Sequence, residues 1–295
     1  MSRNITFSLL LSWFLFPAVG FGQELMDLLD DPDEETEYVF ATFKTTRIVN
    51  GQSIENPPHG MLKFVVSHQF GRVNQGVYHL FGMDQATMRM GFEYGLTERL
   101  ALSVGRSTFE KTYDGFFKYK LLRQTEPKET MPVSVSWFSG IYINSLRRPF
   151  PDNETSFSSR ISHAHQLLIA RKFGHPFSLQ LSPTVVHKNH VADPVHPNTI
   201  FALGAGGRVR ITNRTTFNAE YFYVFDEMTR QEYFDSFSLG FDIETGGHVF
   251  QLHFSNSQPM FERGFITETR GDWFRGDIYF GFNITRVFAI KRREI

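Results

Sequence analysis

Residues 236–255 read SFSLGFDIETGGHVFQLHFS. Phe237, Leu239, Phe241 and Ile243 alternate with Ser238, Gly240, Asp242 and Glu244. After Gly246–Gly247, Phe250, Leu252 and Phe254 alternate with Gln251, His253 and Ser255. Successive side chains on a strand point to opposite faces, so a period of two gives each strand one apolar and one polar face. A one-residue slip in pairing would exchange the two faces, which makes the register a sharp expectation.

The same period extends outward from this stretch. Phe217, Ala219, Tyr221, Tyr223 and Phe225 precede it, and Ile278, Phe280, Phe282 and Ile284 follow. Leu62, Phe64 and Val66 open the pattern, followed by Met88, Met90, Phe92 and Tyr94. About twelve strands are predicted, near 61–70, 85–94, 99–107, 114–123, 131–145, 160–173, 177–188, 199–212, 215–226, 234–245, 248–256 and 276–288. Most reach the roughly 9–11 tilted residues that cross a bilayer, beyond the roughly 5–6 of an ordinary strand. A soluble sandwich would bury the apolar face against a second sheet. A membrane barrel turns that face to lipid and closes, leaving no strand edge unpaired. The connections favour the barrel. Gly95–Glu98, Gly174–Pro176, Asn213–Arg214 and Gly246–Gly247 are short, whereas Leu146–Ser159 and Ser257–Arg275 are long. Short periplasmic turns and longer outer loops are the barrel asymmetry. Gln124–Thr130 is longer than this rule requires. The predicted fold is all-β: an antiparallel transmembrane β-barrel of about 12 strands.

Composition agrees. The 295 residues carry 30 basic and 31 acidic side chains, a balance that argues against nucleic acid as a partner. There are no cysteines, which excludes disulfides, thiolate metal sites and a cysteine nucleophile. Phenylalanine is abundant, 33 residues, while charged residues still make up 21%. Aromatics spread through a polar chain suit half-apolar strands better than membrane helices.

Residues 1–22, MSRNITFSLLLSWFLFPAVGFG, have the form of a secretory signal peptide: Arg3, an apolar run from Ile5 to Phe16, then small residues before Gln23. The apolar run is shorter than a spanning helix needs. Residues 23–59 form an acidic leader and N-terminal segment, with eight acids between Glu24 and Glu37. That segment reads as disordered, as a hairpin or as a plug entering the lumen. The barrel is expected over 60–288, with a tail at 289–295.

Met83–Gln124, MDQATMRMGFEYGLTERLALSVGRSTFEKTYDGFFKYKLLRQ, and the preceding Gly60–Gly76, GMLKFVVSHQFGRVNQG, resemble a Bacteroidota family of predicted outer-membrane β-barrels of unassigned function. The resemblance is best over 40–145. It implies fold and outer-membrane location, and it carries no catalytic residues.

Inward positions, and so candidate lumen-lining residues, are Lys63, Arg89, Glu93, Lys118, Lys120, Lys172, Arg208, Arg210, Glu220, Asp242, Glu244, His253 and Asp277. Lipid-facing positions include Leu62, Phe64, Met90, Phe92, Leu102, Val104, Phe241, Phe250, Phe280 and Phe282. Arg106, Lys111, Lys118 and Lys120 could draw anions to one mouth or be neutralised by Glu93, Glu110 and Asp114.

Three other chemistries meet obstacles in the sequence. His163-x-His165, and His187, His190 and His196 with Asp193, could chelate a metal, but spacing fixes no third ligand. Ser255 and His253 share a face about 7 Å apart, too far for a direct Ser–His bond. Gly204-Ala-Gly206-Gly207 lacks dinucleotide-loop spacing and suits a close approach from inside the barrel.

The expectation is therefore a narrow pore, or a structural or ligand-binding barrel, with a charged lumen. An outer-membrane lipid hydrolase and a soluble periplasmic β-sandwich binding protein are the alternatives. No catalytic residue, metal or cofactor is assigned. Outer-membrane lipid and small polar solutes are the expected partners, and the acidic leader leaves room for a periplasmic protein.

Overall fold

The computed structural model describes residues 37–126, 131–147, 156–191, 195–246 and 248–290. The segment expected to be a signal peptide, the leader up to residue 36 and the tail from 291 lie outside the described residues. Twelve strands run in chain order: β1 (Met61–Arg72), β2 (Ala86–Gly95), β3 (Leu100–Ser107), β4 (Tyr113–Leu122), β5 (Ser134–Ile143), β6 (Ile161–Phe173), β7 (Phe177–Lys188), β8 (Thr199–Arg210), β9 (Thr215–Val224), β10 (Ser236–Thr245), β11 (His248–Ser255) and β12 (Tyr279–Ala289). Each pairs antiparallel with the next, and β12 pairs with β1, so the sheet closes into a barrel. Closure overturns the soluble-sandwich alternative: the twelve strands form one closed sheet, and among the described residues the only other sheet is a two-stranded pairing too small to cover its apolar face.

That apolar face is the outside of the barrel. Val104, Phe201, Phe92, Leu252 and Phe241 are exposed, while their strand neighbours Ser103, Ala202, Gln251 and Asp242 are buried. Cross-strand rings thicken the outer band, with Phe64 and Phe92 at 4.9 Å and Phe217 and Phe241 at 5.2 Å between centroids. The short turns gather at one end of the barrel and the long loops at the other. The β4–β5 connection belongs to the short-turn end. Its extra length carries Thr125–Glu126, which pairs with Glu37–Tyr38.

The inside of the barrel is filled by two segments of the chain. One is a finger, residues 42–56, entering from the short-turn end. The other is the β11–β12 connection, whose residues 256–269 are buried almost throughout and include the short helix α1 (Glu262–Thr267).

Candidate functional site

The finger is a tight hairpin. Ile48 N–H donates to the Gly51 carbonyl at 2.8 Å and Ser53 N–H to the Thr46 carbonyl at 3.0 Å, with Arg47 bridging to Gln52. Its tip, Ile48–Val49–Asn50–Gly51, contains an Asn-Gly pair of the kind that favours tight reversals. The backbone N–H groups of Val49, Asn50 and Gly51 converge on the Glu220 carboxylate at 3.1, 2.7 and 3.0 Å. Successive amides wrapped round an anion offset part of the cost of burying a carboxylate.

The remaining finger contacts come from around the wall. Gln251 donates to the Ile48 carbonyl at 2.7 Å, Gln180 to the Gln52 carbonyl at 2.7 Å and Lys118 to the Ser53 carbonyl at 2.9 Å. Asn50 donates to Ser238 and Ser255. Thr46 donates to Glu93 at 2.6 Å, and Lys63, 3.7 Å from Glu93, donates to Thr46. The finger thus touches β1, β2, β4, β7, β9, β10 and β11, and lies across the lumen. Gly206 faces Ile48 so closely that a Cβ there would lie 2.4 Å from Ile48 Cδ1. The glycines at 204 and 206 therefore admit bulk from inside.

The folded-in loop fills the long-loop end. Phe261, Phe265 and Ile266 pack on an apolar patch of the inner wall formed by Tyr142, Ala164, Val186, Ile200, Ala202, Phe222 and Val224. A second inner patch, Phe116, Phe138, Leu168 and Ala170, receives Phe43, Ile48, Val49 and Ile54 of the finger. Arg263 pairs with Glu268 at 2.8 Å and with Glu110, and Lys188 pairs with Glu268 at 2.9 Å, tying the loop to the wall. The two inserts meet at Glu262. Its carboxylate accepts from Arg47 at 3.1 Å, Gln52 at 2.8 Å and the Tyr142 hydroxyl at 2.6 Å. Burial pushes the Glu262 carboxyl up, but the Arg47 charge, the bonds from Tyr142 and Gln52 and the more distant Arg89 outweigh it and hold the group below its ordinary value.

The expected lumen residues divide into two groups. Lys63, Arg89, Glu93, Lys118, Arg208, Glu220, Asp242 and His253 are buried on the inner face. Lys120, Lys172, Arg210 and Glu244 sit at the short-turn rim, partly or largely open, because they stand at or near strand ends. Asp277 is a correction. β12 begins two residues later, at Tyr279, and Asp277 lies in the preceding loop, where it pairs with Arg72 at 3.1 Å. The basic residues near Lys118 do not gather at one mouth: Arg106 turns outward over the Tyr113 ring, and Lys118 engages the finger.

Ser255 bonds to Asn50 and Ser238, while among the described residues neither ring nitrogen of His253 has a hydrogen-bond partner, so these two form no Ser–His pair. His163 and His165 are on the outer face with ring centroids 6.4 Å apart. His196 is 3.0 Å from Glu232, and Asp193 lies outside the described residues. Among the described residues, no group of three or more His, Asp or Glu side chains is placed to hold a metal ion.

Both inner apolar patches were missed by the strand reading. The signal is a loss of alternation, both faces being apolar, at Ile200–Leu203 and Tyr221–Phe225 for the first patch and at Phe116–Phe117, Trp137–Phe138 and Leu167–Ala170 for the second. An inner face turns apolar where protein, not water, covers it.

Residues 43–288 match a family model described as a membrane bound beta barrel domain (DUF5777). Among solved structures, the COG4313 outer membrane channel from Pseudomonas putida F1 is similar at 12% identity, covering 80% of this chain and 98% of that one, with a TM-score of 0.49. A NanC porin structure is similar at 8% identity, covering 78% and 100%, with a TM-score of 0.48. The KdgM porin is similar at 9% identity, covering 77% and 99%, with a TM-score of 0.47. No curated protein sequence matches the chain.

Proposed function

The chain belongs to the family of membrane bound beta barrel domains (DUF5777), and from that premise we propose that it is an outer-membrane channel for small polar solutes, held shut by its own finger and folded loop. One observation carries this reading: beside one apolar patch, the finger is bound inside the barrel by hydrogen bonds and ion pairs from around the wall. Water can replace such contacts when a segment withdraws, whereas a purely apolar filling would leave a greasy wall behind. Twelve strands enclose more space than the eight that side chains alone fill. The ionisable inner residues Glu93, Lys63, Lys118, Arg208, Glu220 and Asp242 would line the opened path. Export by residues 1–22 and a Bacteroidota origin belong to the same proposal.

Single-channel recording in planar bilayers tests it. The chain has no cysteine, so a designed disulfide has no competitor. Ile48→Cys with Gly206→Cys bridges finger to wall where a Cβ on residue 206 would lie 3.4 Å from Ile48 Cγ2. The oxidised protein should be silent, and reduction should restore openings. A barrel that stays silent reduced, and also silent after Glu262→Ala, is a plugged scaffold and not a channel.

A further inference from the structure

We propose that the short-turn mouth of the barrel holds a binding site for a small anionic solute, one bearing a carboxylate or phosphate group, built by Lys172, Arg208 and Arg210. The binding itself stands without conduction. Its role as the entry filter of the path rests on the channel reading.

The site is a cavity of about 290 Å³ at the base of the finger. Its size matches the low end of small-molecule pockets, roughly 300–1,000 Å³. Arg208 and Arg210 are two residues apart on β8 and so share its inner face. Lys172 comes from the end of β6 and Lys44 from the finger. Against these four cations the lining supplies one carboxylate, Glu244, and it is taken by Lys44 at 2.6 Å.

The other three cations hold only neutral oxygens among the described residues. Lys172 donates to the Phe40 carbonyl at 2.8 Å, and Arg208 to the Ala41 carbonyl at 2.8 Å. Arg210 donates to the Thr212 carbonyl and to Asn213. The acids whose fields reach Arg208 are Glu55 and Asp242, and both are engaged elsewhere. Glu55 accepts from the Thr42 and Phe43 amides, and Asp242 from Thr216 and Gln251.

A second observation points to a ligand. Arg208 is only 4% exposed, yet among the described residues its Nε has no hydrogen-bond partner. A buried charged donor left without an acceptor is costly, and a planar guanidinium is shaped for the paired oxygens of carboxylate or phosphate. Arg208 faces the lumen, with the lipid on the far side of the wall, so the occupant is a free solute and not a bilayer headgroup.

The test is calorimetric titration of inorganic phosphate into the full barrel in zwitterionic detergent. Saturable binding near one site per chain is expected. It should weaken at least tenfold in Arg208→Gln and in the Lys172→Gln, Arg210→Gln double variant. The double variant alters half-exposed rim residues and keeps the test alive if Arg208→Gln fails to fold. Absence of binding by the wild type would overturn the proposal, as would equal binding by a folded double variant. Binding in detergent that is lost in nanodiscs with anionic phospholipid but kept in zwitterionic ones would assign the site to a headgroup. Binding seen only after the acids of residues 24–37 are neutralised would assign it to the chain's own leader. Phosphate binding by a barrel that never conducts would refute the channel and leave this site standing. Conduction without phosphate binding would do the reverse.

Discussion

Arg89 lies along the inner wall because two glycines give it room. A Cβ at Gly105 would come 2.6 Å from Arg89 Nη2 and 2.9 Å from Asp114 Oδ2, and one at Gly91 would come 2.9 Å from Arg89 Nη1. In that slot Arg89 forms a two-point pair with Asp114, Nε to Oδ1 at 3.0 Å and Nη2 to Oδ2. Both side chains are buried, so the pair must stay intact: removing the fit leaves a charge uncompensated, at about 3–5 kcal/mol. Gly105→Val should therefore lower stability by an amount of that order, read as urea unfolding of the barrel in lipid vesicles. Gly115→Ala is the control. A Cβ there meets nothing closer than 3.5 Å, and stability should hold within about 0.5 kcal/mol. Equal losses at the two glycines would show that the slot is not what fixes Arg89. The alternation put Arg89 on the inner face from sequence alone. Its partner was not legible, because Arg89 and Asp114 stand on strands two apart in the sheet, and only the empty space at residue 105 lets them meet.

At the scale of elements, the strands were legible and the inserts largely were not. A period of two is imposed residue by residue wherever one face meets lipid and the other does not, so β1 to β12 could be read within a few residues of their ends. The β11–β12 loop has no such period, because its burial comes from a cavity shape that forms only when the barrel closes. For the finger, a hairpin and a plug entering the lumen stand beside disorder as readings of 23–59, and its runs on either side of Asn50-Gly51 are too short to decide between them. What the inserts do with charge can nevertheless be tested. Burial pushes Glu268 up, but Arg263 and Lys188 outweigh it and hold its carboxyl below the ordinary 4.5, and Glu262 is held down likewise. A depressed carboxyl stabilises the docked loop above its ordinary value, and that contribution is lost as pH falls through the lowered one. Docking should be unaffected near neutrality and fail in acid, below about 4.5. Channel openings of the wild type should rise as pH falls through that range. Glu268→Gln should show frequent openings already at pH 7 and a flatter response. A wild-type record independent of acid would separate the Glu262 and Glu268 contacts from closure.

For the molecule as a whole, the apolar outside and the polar inside are one pattern seen from two sides, and its consequence is a dependence on depth. Leu252 stands mid-barrel on the outer face, paired with Phe241 on one side and Phe282 on the other. Phe288 shares that face but is one residue from the end of β12, opposite Leu62. If hydrocarbon surrounds this band, Leu252→Arg places a cation near the midplane and should cost about 2–4 kcal/mol, whereas Phe288→Arg can reach the headgroups and should cost about 0–1 kcal/mol. Urea titration in phosphatidylcholine vesicles reads both. The same pair in detergent should differ far less, since micelles lack a fixed midplane. Two equal penalties in vesicles would mean that the outer face does not span a bilayer, and the closed sheet would then need another reason for covering itself in phenylalanine.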